Sequence, residues 1–288
     1  MIDLNKKGYI FRVGRIKGRY GNLLICLENL LLLSKNTESI FTIKSIKYNY
    51  DLFKIPRSLD FRSDKNINCG EVIRHDRLFL TKHPYSIKFF VDPDKWCLNY
   101  IHNLLNRKEP LTKIYDDTLV LNIRGGRDIF KRKRINKEYL QPPSSFYKHI
   151  IKNCNHSDIL IVTDDVSCNP VIMDLLLWKP DIRVADFDPS SHANLILNAK
   201  HLVTARSTFS MIFARLSKNL KSLYVWWDNN WKWDEWQPTV DNSLSKDFKI
   251  TRCYTDDYIK IGEWSASMKQ LKTMLNYPEE KLRFKEFE

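Results

Sequence analysis

Leu202-Val203-Thr204-Ala205-Arg206-Ser207-Thr208-Phe209-Ser210 is an apolar run that changes into small hydroxyl residues just ahead of a helix-forming segment, 211–216. It reads as a strand delivering Ser207, Thr208 and Ser210 to a helix start, where unpaired N–H groups, hydroxyl donors and a positive dipole end converge. That combination suits a phosphate. It equally suits a plain N-cap on a core helix, so the stretch has to be read with its neighbours.

Residues 118–123 and 158–163 are short apolar runs of the same form, and 182–185 is a further strand ahead of the opening stretch. Helix-length segments separate them, at Ser144–Asn153, 169–178 and 192–199. Buried strands alternating with helices predict a parallel α/β sheet covered on both faces, with ligands held beyond the carboxyl ends of the strands. Polar residues collect at those ends. Arg124-Gly125-Gly126-Arg127-Asp128 follows 118–123, Thr163-Asp164-Asp165 closes 158–163, and Asp186-Phe187-Asp188 follows 182–185. In the first of these, two glycines let the backbone approach a ligand and two guanidiniums can grip a diphosphate, although a Gly-Gly turn flanked by surface arginines has the same composition.

The N-terminal part repeats the pattern: a strand at 9–13, the turn Gly18-Arg19-Tyr20-Gly21-Asn22, a buried helix over 23–34 and a strand over 39–46. Residues 48–85 lack periodicity and suit acceptor-binding loops, while 94–105 is an amphipathic helix. The polar, proline-containing join at 106–117 places a domain boundary there, giving domains 1–115 and 116–262 and a helical tail, 263–288, that could pack back on the first domain.

The 288 residues are enough for two such domains, and 43% hydrophobic with 28% charged residues describes a globular chain. No run of about 18 apolar residues exists to span a membrane, and the N-terminus has no basic-then-apolar leader, so a cytoplasmic protein is expected. The six cysteines show no C-x-x-C pair, which argues against zinc or a disulfide frame. A net charge of +13 implies an anionic partner: nucleic acid, an acidic membrane surface or a phosphorylated small molecule. The densest basic cluster is Arg124, Arg127, Lys131, Arg132, Lys133, Arg134 and Lys137, which a solvated face would also explain.

Asp164-Asp165 and the triplets Asp92-Pro93-Asp94 and Asp186-Phe187-Asp188 have the look of Mg²⁺ or Mn²⁺ ligands. With 34 acidic residues, however, D-x-D triplets arise by chance, and Asp164 or Asp165 suits a cap for the helix near Asn169 or a ribose contact. The aromatic stretch 224–236 has too little positive charge for a nucleic-acid platform and reads as a strand followed by an aromatic loop. The seven histidines show no H-E-x-x-H spacing, and G-x-S-x-G, Walker A and G-x-G-x-x-G elements are absent.

Four segments resemble, in order, those of α-1,2-fucosyltransferases and the wider fucosyltransferase superfamily. Gly18–Asn22 resembles their G-x-x-G-N turn, Asn122–Asp128 their H-x-R-R-G-D, Thr163–Cys168 their S-D-D-x-x-x-C, and Ala205–Ser210 their A-N-S-T-F-S-W-W. The chain departs from the pattern at Asn122, Gly125, Arg206 and Met211-Ile212, where the family has His, Arg, Asn and the Trp pair. The resemblance implies a GT-B architecture: two Rossmann-like domains facing a cleft, an acceptor half and a half that binds the nucleotide sugar, with no obligate metal and no other cofactor. It implies that Arg124 holds the donor diphosphate, aided by Gly125 and Arg127. Asp164 and Asp165 would support the donor, Ser207, Thr208, Phe209 and Ser210 would line its phosphate and nucleoside pocket, and Gly21 and Asn22 would approach from the other half; Asp188 joins the donor-side candidates by its place at the end of the strand 182–185.

The activity expected is inverting glycosyl transfer from a nucleotide sugar to a hydroxyl of a glycan acceptor. GDP-fucose is the implied donor, and a UDP sugar such as UDP-xylose or UDP-rhamnose is its rival. Arg124 is the expected catalytic cation, with Asp60, His75 and Asp92, then Asp76 and His83, as candidate bases. A basic nucleic-acid-binding protein and an inactive GT-B scaffold are the alternatives.

Overall fold

The computed structural model describes residues 7–16, 20–46, 54–64, 72–75, 95–105, 113–130, 135–185, 188–204, 206–227, 244–245 and 247–287. The chain divides into two compact units, Met1–Arg107 with Asp234–Leu244, and Lys108–Trp233 with Ser245–Glu288.

Unit 1 contains β1 (Ile10–Ile16), α1 (Tyr20–Asn36), β2 (Ile40–Ile46), β3 (Ser58–Asp60), β4 (Val72–His75) and α2 (Lys95–Asn103). Its sheet runs β3-β2-β1-β4, with β2, β1 and β4 parallel and β3 antiparallel at the edge. Helix α1 is apolar on nearly every side, and Leu23, Leu24, Leu27, Leu30 and Leu31 are fully buried. A helix with so little amphipathic contrast can only be a core element. The first turn of α2 reaches it through Cys97, whose Sγ lies 3.6 Å from the Glu28 carbonyl oxygen.

Unit 2 contains β5 (Thr118–Asn122), α3 (Arg127–Phe130), α4 (Ser144–Asn153), β6 (Asp158–Val162), α5 (Pro170–Trp178), β7 (Arg183–Val184), α6 (Pro189–Asn198), β8 (His201–Thr204), α7 (Thr208–Leu216), β9 (Ser222–Trp227), β10 (Lys249–Thr255), α8 (Met268–Asn276) and β11 (Leu282–Phe287). The sheet order is β11-β10-β9-β8-β5-β6-β7, parallel throughout except for β11. Counted from β5, its six parallel strands stand in the order 3-2-1-4-5-6 of a doubly wound nucleotide-binding sheet.

Side-chain alternation splits this core in two. Leu119, Leu121, Ile159, Ile161 and Val203 pack in one cluster with Phe146 and Ile150 of α4, Val171 and Leu175 of α5 and Met274 of α8. The intervening Val120, Leu160 and Leu202 point to the other face, as alternation along a strand requires.

The expected α/β class and the strand and helix alternation are present. Three expectations are corrected. The units part between Arg107 and Lys108 rather than at 115/116, because the strand-leading segment from Lys113 belongs with β5 and β7: Tyr115 N–H donates to Thr118 Oγ1 at 2.8 Å, and the Lys113 carbonyl accepts from Arg183 at 3.0 Å. The tail 263–288 is not all-helical, and it belongs to unit 2. Its β11 pairs antiparallel with β10, and α8 rests on α4 and α5. The opening helix also begins earlier than 211–216, at Thr208, because Ser207 is its N-cap.

At the amino end of the sheet the His156 and His201 rings stand 4.4 Å apart between centroids, and His201 Nδ1 bonds Ser222 Oγ at 2.8 Å. Burial lowers the pKa of both. The nearby Lys200 and Lys221 push His201 further down, while Asp117 pulls both upward. The unfolded chain therefore takes up protons near pH 6.5 that the folded one resists, so stability falls as pH drops through that region. Asp158, held low by Arg183, contributes only at more acid pH. Melting temperature is expected to be flat above about pH 7.5 and to fall between about pH 7 and 5, with His201→Asn flattening that step. Equal melting temperatures across the window in the parent chain would contradict this.

Candidate functional site at the carboxyl edge of the larger sheet

The strand order reverses between β5 and β8, and in doubly wound sheets a crevice opens there beyond the strand ends. Asn122 of β5 is in register with Val162 of β6 and Thr204 of β8, so three segments leave the sheet along one edge.

The segment after β5 lies directly on the one after β6. Ile123 N–H donates to the Val162 carbonyl at 3.0 Å, and Gly125 N–H donates to Asp164 Oδ1 at 2.7 Å. A Cβ on Gly125 would sit 1.9 Å from the Asp165 carbonyl oxygen and 2.7 Å from Thr163 Oγ1. Glycine is required here by backbone packing, whatever ligand approaches. At Gly126 the added carbon would meet the Asp128 carboxylate at 2.3 Å, a side-chain end that can swing aside.

Arg124 is held at both ends. Its carbonyl accepts from Asn169 Nδ2 at 3.0 Å, while Asn169 Oδ1 caps α5 by accepting from Val171 N–H at 2.9 Å. Its guanidinium donates to Asp128 Oδ2 at 3.0 Å and lies 4.1 Å from the centre of the Tyr139 ring. Stacking on an aromatic face and pairing with a carboxylate fix the plane of the fork. Arg127 opens α3 on the same loop. Behind it Trp264, fully buried, donates Nε1–H to the Ile129 carbonyl at 3.1 Å and meets the Phe130 ring edge-on.

Tyr139 comes from a 3-10 turn, Lys137–Tyr139, whose Glu138 N–H is capped by Asn136 Oδ1 at 3.0 Å. Gly262 N–H ties the turn down through the Lys137 carbonyl at 3.1 Å. The residue before Tyr139 faces a second arginine: the Glu138 carboxylate is 4.0 Å from Arg206 Nη2, and the Arg206 side chain is 7% exposed. One turn thus touches both guanidiniums.

The start of α7 is organised by its own cap. Ser207 Oγ accepts from Phe209 N–H at 3.2 Å, and Ser210 Oγ donates to the Ser207 carbonyl at 3.2 Å. Ser210 is fully buried, with its hydroxyl directed to the Ser207 carbonyl. Phe209 packs edge-on against Phe213 at 4.9 Å, and Thr208 is exposed in the first turn.

Other expected donor residues also have structural work. Asp165 Oδ1 accepts from the N–H and hydroxyl of Ser167, each at 2.8 Å, closing its own turn. Asp188 caps α6 by accepting from Ser191 N–H at 2.7 Å; burial would raise its pKa, but these N–H bonds hold it below the usual value. The cap of α5 is Asn169, not Asp164 or Asp165. In unit 1, Gly21 and Asn22 lie in the first turn of α1. Asp60 ends β3 in a fork with Arg62, Nε to Oδ1 at 2.9 Å and Nη2 to Oδ2 at 2.6 Å, so it is a poor candidate for a free base. His75 ends β4 in register with Val13. Asp76, His83, Asp92, Asp186 and 131–134 of the basic cluster lie outside the described residues.

Among the described residues no three His, Cys, Asp or Glu side chains group so as to hold a metal ion, and no helix is long and apolar enough to cross a membrane. Sequence reading missed Asn169, Glu138 and Tyr139 as builders of this edge. Asn169 before Pro170 is a helix-start signal that was available.

No protein-family model matches the chain, and no curated protein does. Among solved structures it is similar to Escherichia coli heptosyltransferase WaaC with ADP, at 10% identity over 89% of this chain and 95% of that one, with a TM-score of 0.41. It is also similar to the iron-containing dodecameric glycosyltransferase TibC from enterotoxigenic E. coli H10407, at 9% identity over 77% of this chain and 59% of that one, with a TM-score of 0.40.

Gly125→Ala should destabilise unit 2 by about 3 kcal/mol or more, since backbone rather than a movable side chain blocks the new methyl. Asn169→Ala should cost about 1–3 kcal/mol through the lost cap and the unsatisfied Arg124 carbonyl. Urea unfolding measures both; a Gly125→Ala chain as stable as the parent would refute the close approach.

Proposed function

We propose that unit 2 binds a nucleotide sugar across the β5–β8 switch point and that the protein is an inverting glycosyltransferase of GT-B type. The observation that carries this reading is Arg124, fixed at the carboxyl end of the central strand by Asn169, Asp128 and Tyr139. The strand order and the start of α7 beside it support the reading, because both favour phosphate beyond these strand ends. The ordered resemblance of the four segments to fucosyltransferases supports glycosyl transfer in particular.

In the proposed reaction an acceptor hydroxyl attacks the anomeric carbon from the side opposite the diphosphate. A C–O bond forms to the acceptor, the bond from the anomeric carbon to the phosphate oxygen breaks, and the acceptor proton passes to a base. Charge grows on the departing diphosphate, where a preoriented guanidinium is worth more than a mobile one. With Asp60 committed to Arg62, His75, Asp76, His83 and Asp92 remain as the candidate bases. The leaving group requires Arg124 and no divalent metal in this scheme. GDP-fucose and UDP-linked xylose or rhamnose are the proposed donors.

A thermal-shift panel of GDP, UDP and dTDP sugars tests the donor. A true donor at 100 times its dissociation constant should stabilise the chain by about 2.7 kcal/mol. Arg124→Ala should cost about 2–4 kcal/mol in transition-state stabilisation, measured as kcat/KM, and turnover should survive exhaustive chelation. Undiminished binding and turnover in Arg124→Ala would refute the role of Arg124, and loss of activity restored by Mn²⁺ would refute the metal-free scheme.

A further inference from the structure

We propose that Arg206 is a second cationic ligand for the phosphates of the nucleotide and that Glu138 is its displaceable counter-ion, a carboxylate that yields its place to phosphate. This deepens the preceding reading and rests on it.

Three observations carry it. Arg206 follows β8 and Arg124 follows β5, so the two arginines leave the sheet from the two strands that border the switch point, where a doubly wound sheet holds its ligand. Arg206 is largely enclosed, and its neighbour Glu138 is half exposed at the long end of ion-pair range, 4.0 Å, on a short turn that already contacts Arg124 through Tyr139. Arg206 also immediately precedes the α7 cap, so a phosphate reaching it meets the dipole end of α7 as well.

An enclosed guanidinium needs a carboxylate or a phosphate partner, since an uncompensated buried charge is strongly unfavourable. Glu138 offers one negative charge in a loose pair. A diphosphate offers more charge and fork-compatible oxygens, so exchange favours it, and the Glu138 side chain has open solvent to turn into. Arg124 does not depend on such an exchange, because Asp128 grips it in a closer pair and the ring of Tyr139 supports it.

Titration calorimetry with UDP, GDP and ADP, and with the corresponding nucleosides, tests this in the parent chain and in Glu138→Gln, Arg206→Met and Arg124→Ala. Removing the competing carboxylate in Glu138→Gln should tighten the binding of the preferred diphosphate about three- to tenfold and leave its nucleoside unchanged. Arg206→Met should weaken the diphosphate at least tenfold, again sparing the nucleoside, and Glu138→Gln should no longer tighten binding in that background. If Arg206→Met does not fold, as a melting curve would show, Glu138→Gln decides alone, because its side chain is exposed. Diphosphate binding that depends on Arg124 but is untouched by Glu138→Gln overturns the assignment of Arg206 while keeping the nucleotide site. Absence of binding by every diphosphate in the parent chain overturns both.

Discussion

The carboxyl edge of the larger sheet depends on how closely two loops can lie. The backbone at Gly125 passes so near the Asp165 carbonyl that a methyl group would overlap it, and the amide it presents is taken by the Asp164 carboxylate. A hydrogen bond to a charged acceptor is stronger than one between neutral groups, and here it replaces the solvent that a bare amide would need. With the loop pinned, the Arg124 carbonyl falls to Asn169 and its guanidinium to Asp128 and Tyr139. The packing of β5 beside β6 thereby becomes a fixed direction for a positive charge at the switch point.

The charges at this edge are largely answered from within. Asp128 faces Arg124, Glu138 faces Arg206, and Asp164 holds a backbone amide. The chain's net charge of +13 is therefore not a guide to the field at these strand ends, where Arg124 and Arg206 each have a carboxylate beside them. An anion that enters competes with carboxylates rather than with water alone, so its affinity reflects a difference between two ion pairs. Under the proposed function, such an edge favours ligands of higher charge density than a carboxylate, which phosphate satisfies and a neutral sugar does not.

Much of the fold was legible because burial on both faces makes strands continuously apolar: 118–122, 158–162 and 201–204 have almost no polar interruption. The edge of the sheet was harder to read. Strand β10 buries only Ile250 and Cys253 of its seven residues, so its periodicity is faint. By contrast, Leu282-Arg283-Phe284-Lys285 alternates in the two-residue period of an edge strand, and the expectation of a helical tail overlooked it. At the candidate site the residue types were readable but their duties were not. The Gly-Gly pair signalled close approach, and at Gly125 the approaching group is the protein's own backbone. Hydroxyls and carboxylates at helix starts are chemically the same whether they cap or bind. The structure commits Ser207, Asp188 and Asn169 to capping through the N–H groups they accept. Glu138 and Tyr139 carry no motif; they matter because the turn that bears them is tied to Gly262, far along the chain.

The C-terminal segment has its place for the same reason. Trp264 fills the space behind α3 and donates to the Ile129 carbonyl, while Gly262 fixes the turn that carries Tyr139 and Glu138. Residues distant in sequence therefore support both elements that face the two arginines. A guanidinium can stabilise growing charge without reorganisation cost only if its surroundings are already in place, and for Arg124 they are. Arg206 differs: its carboxylate partner sits on an exposed side chain that can leave. Both arginines are held in place, but only the one beside Glu138 faces a carboxylate that can turn away, so under the proposed exchange the same edge combines a charge matched by fixed partners with one whose availability depends on what binds.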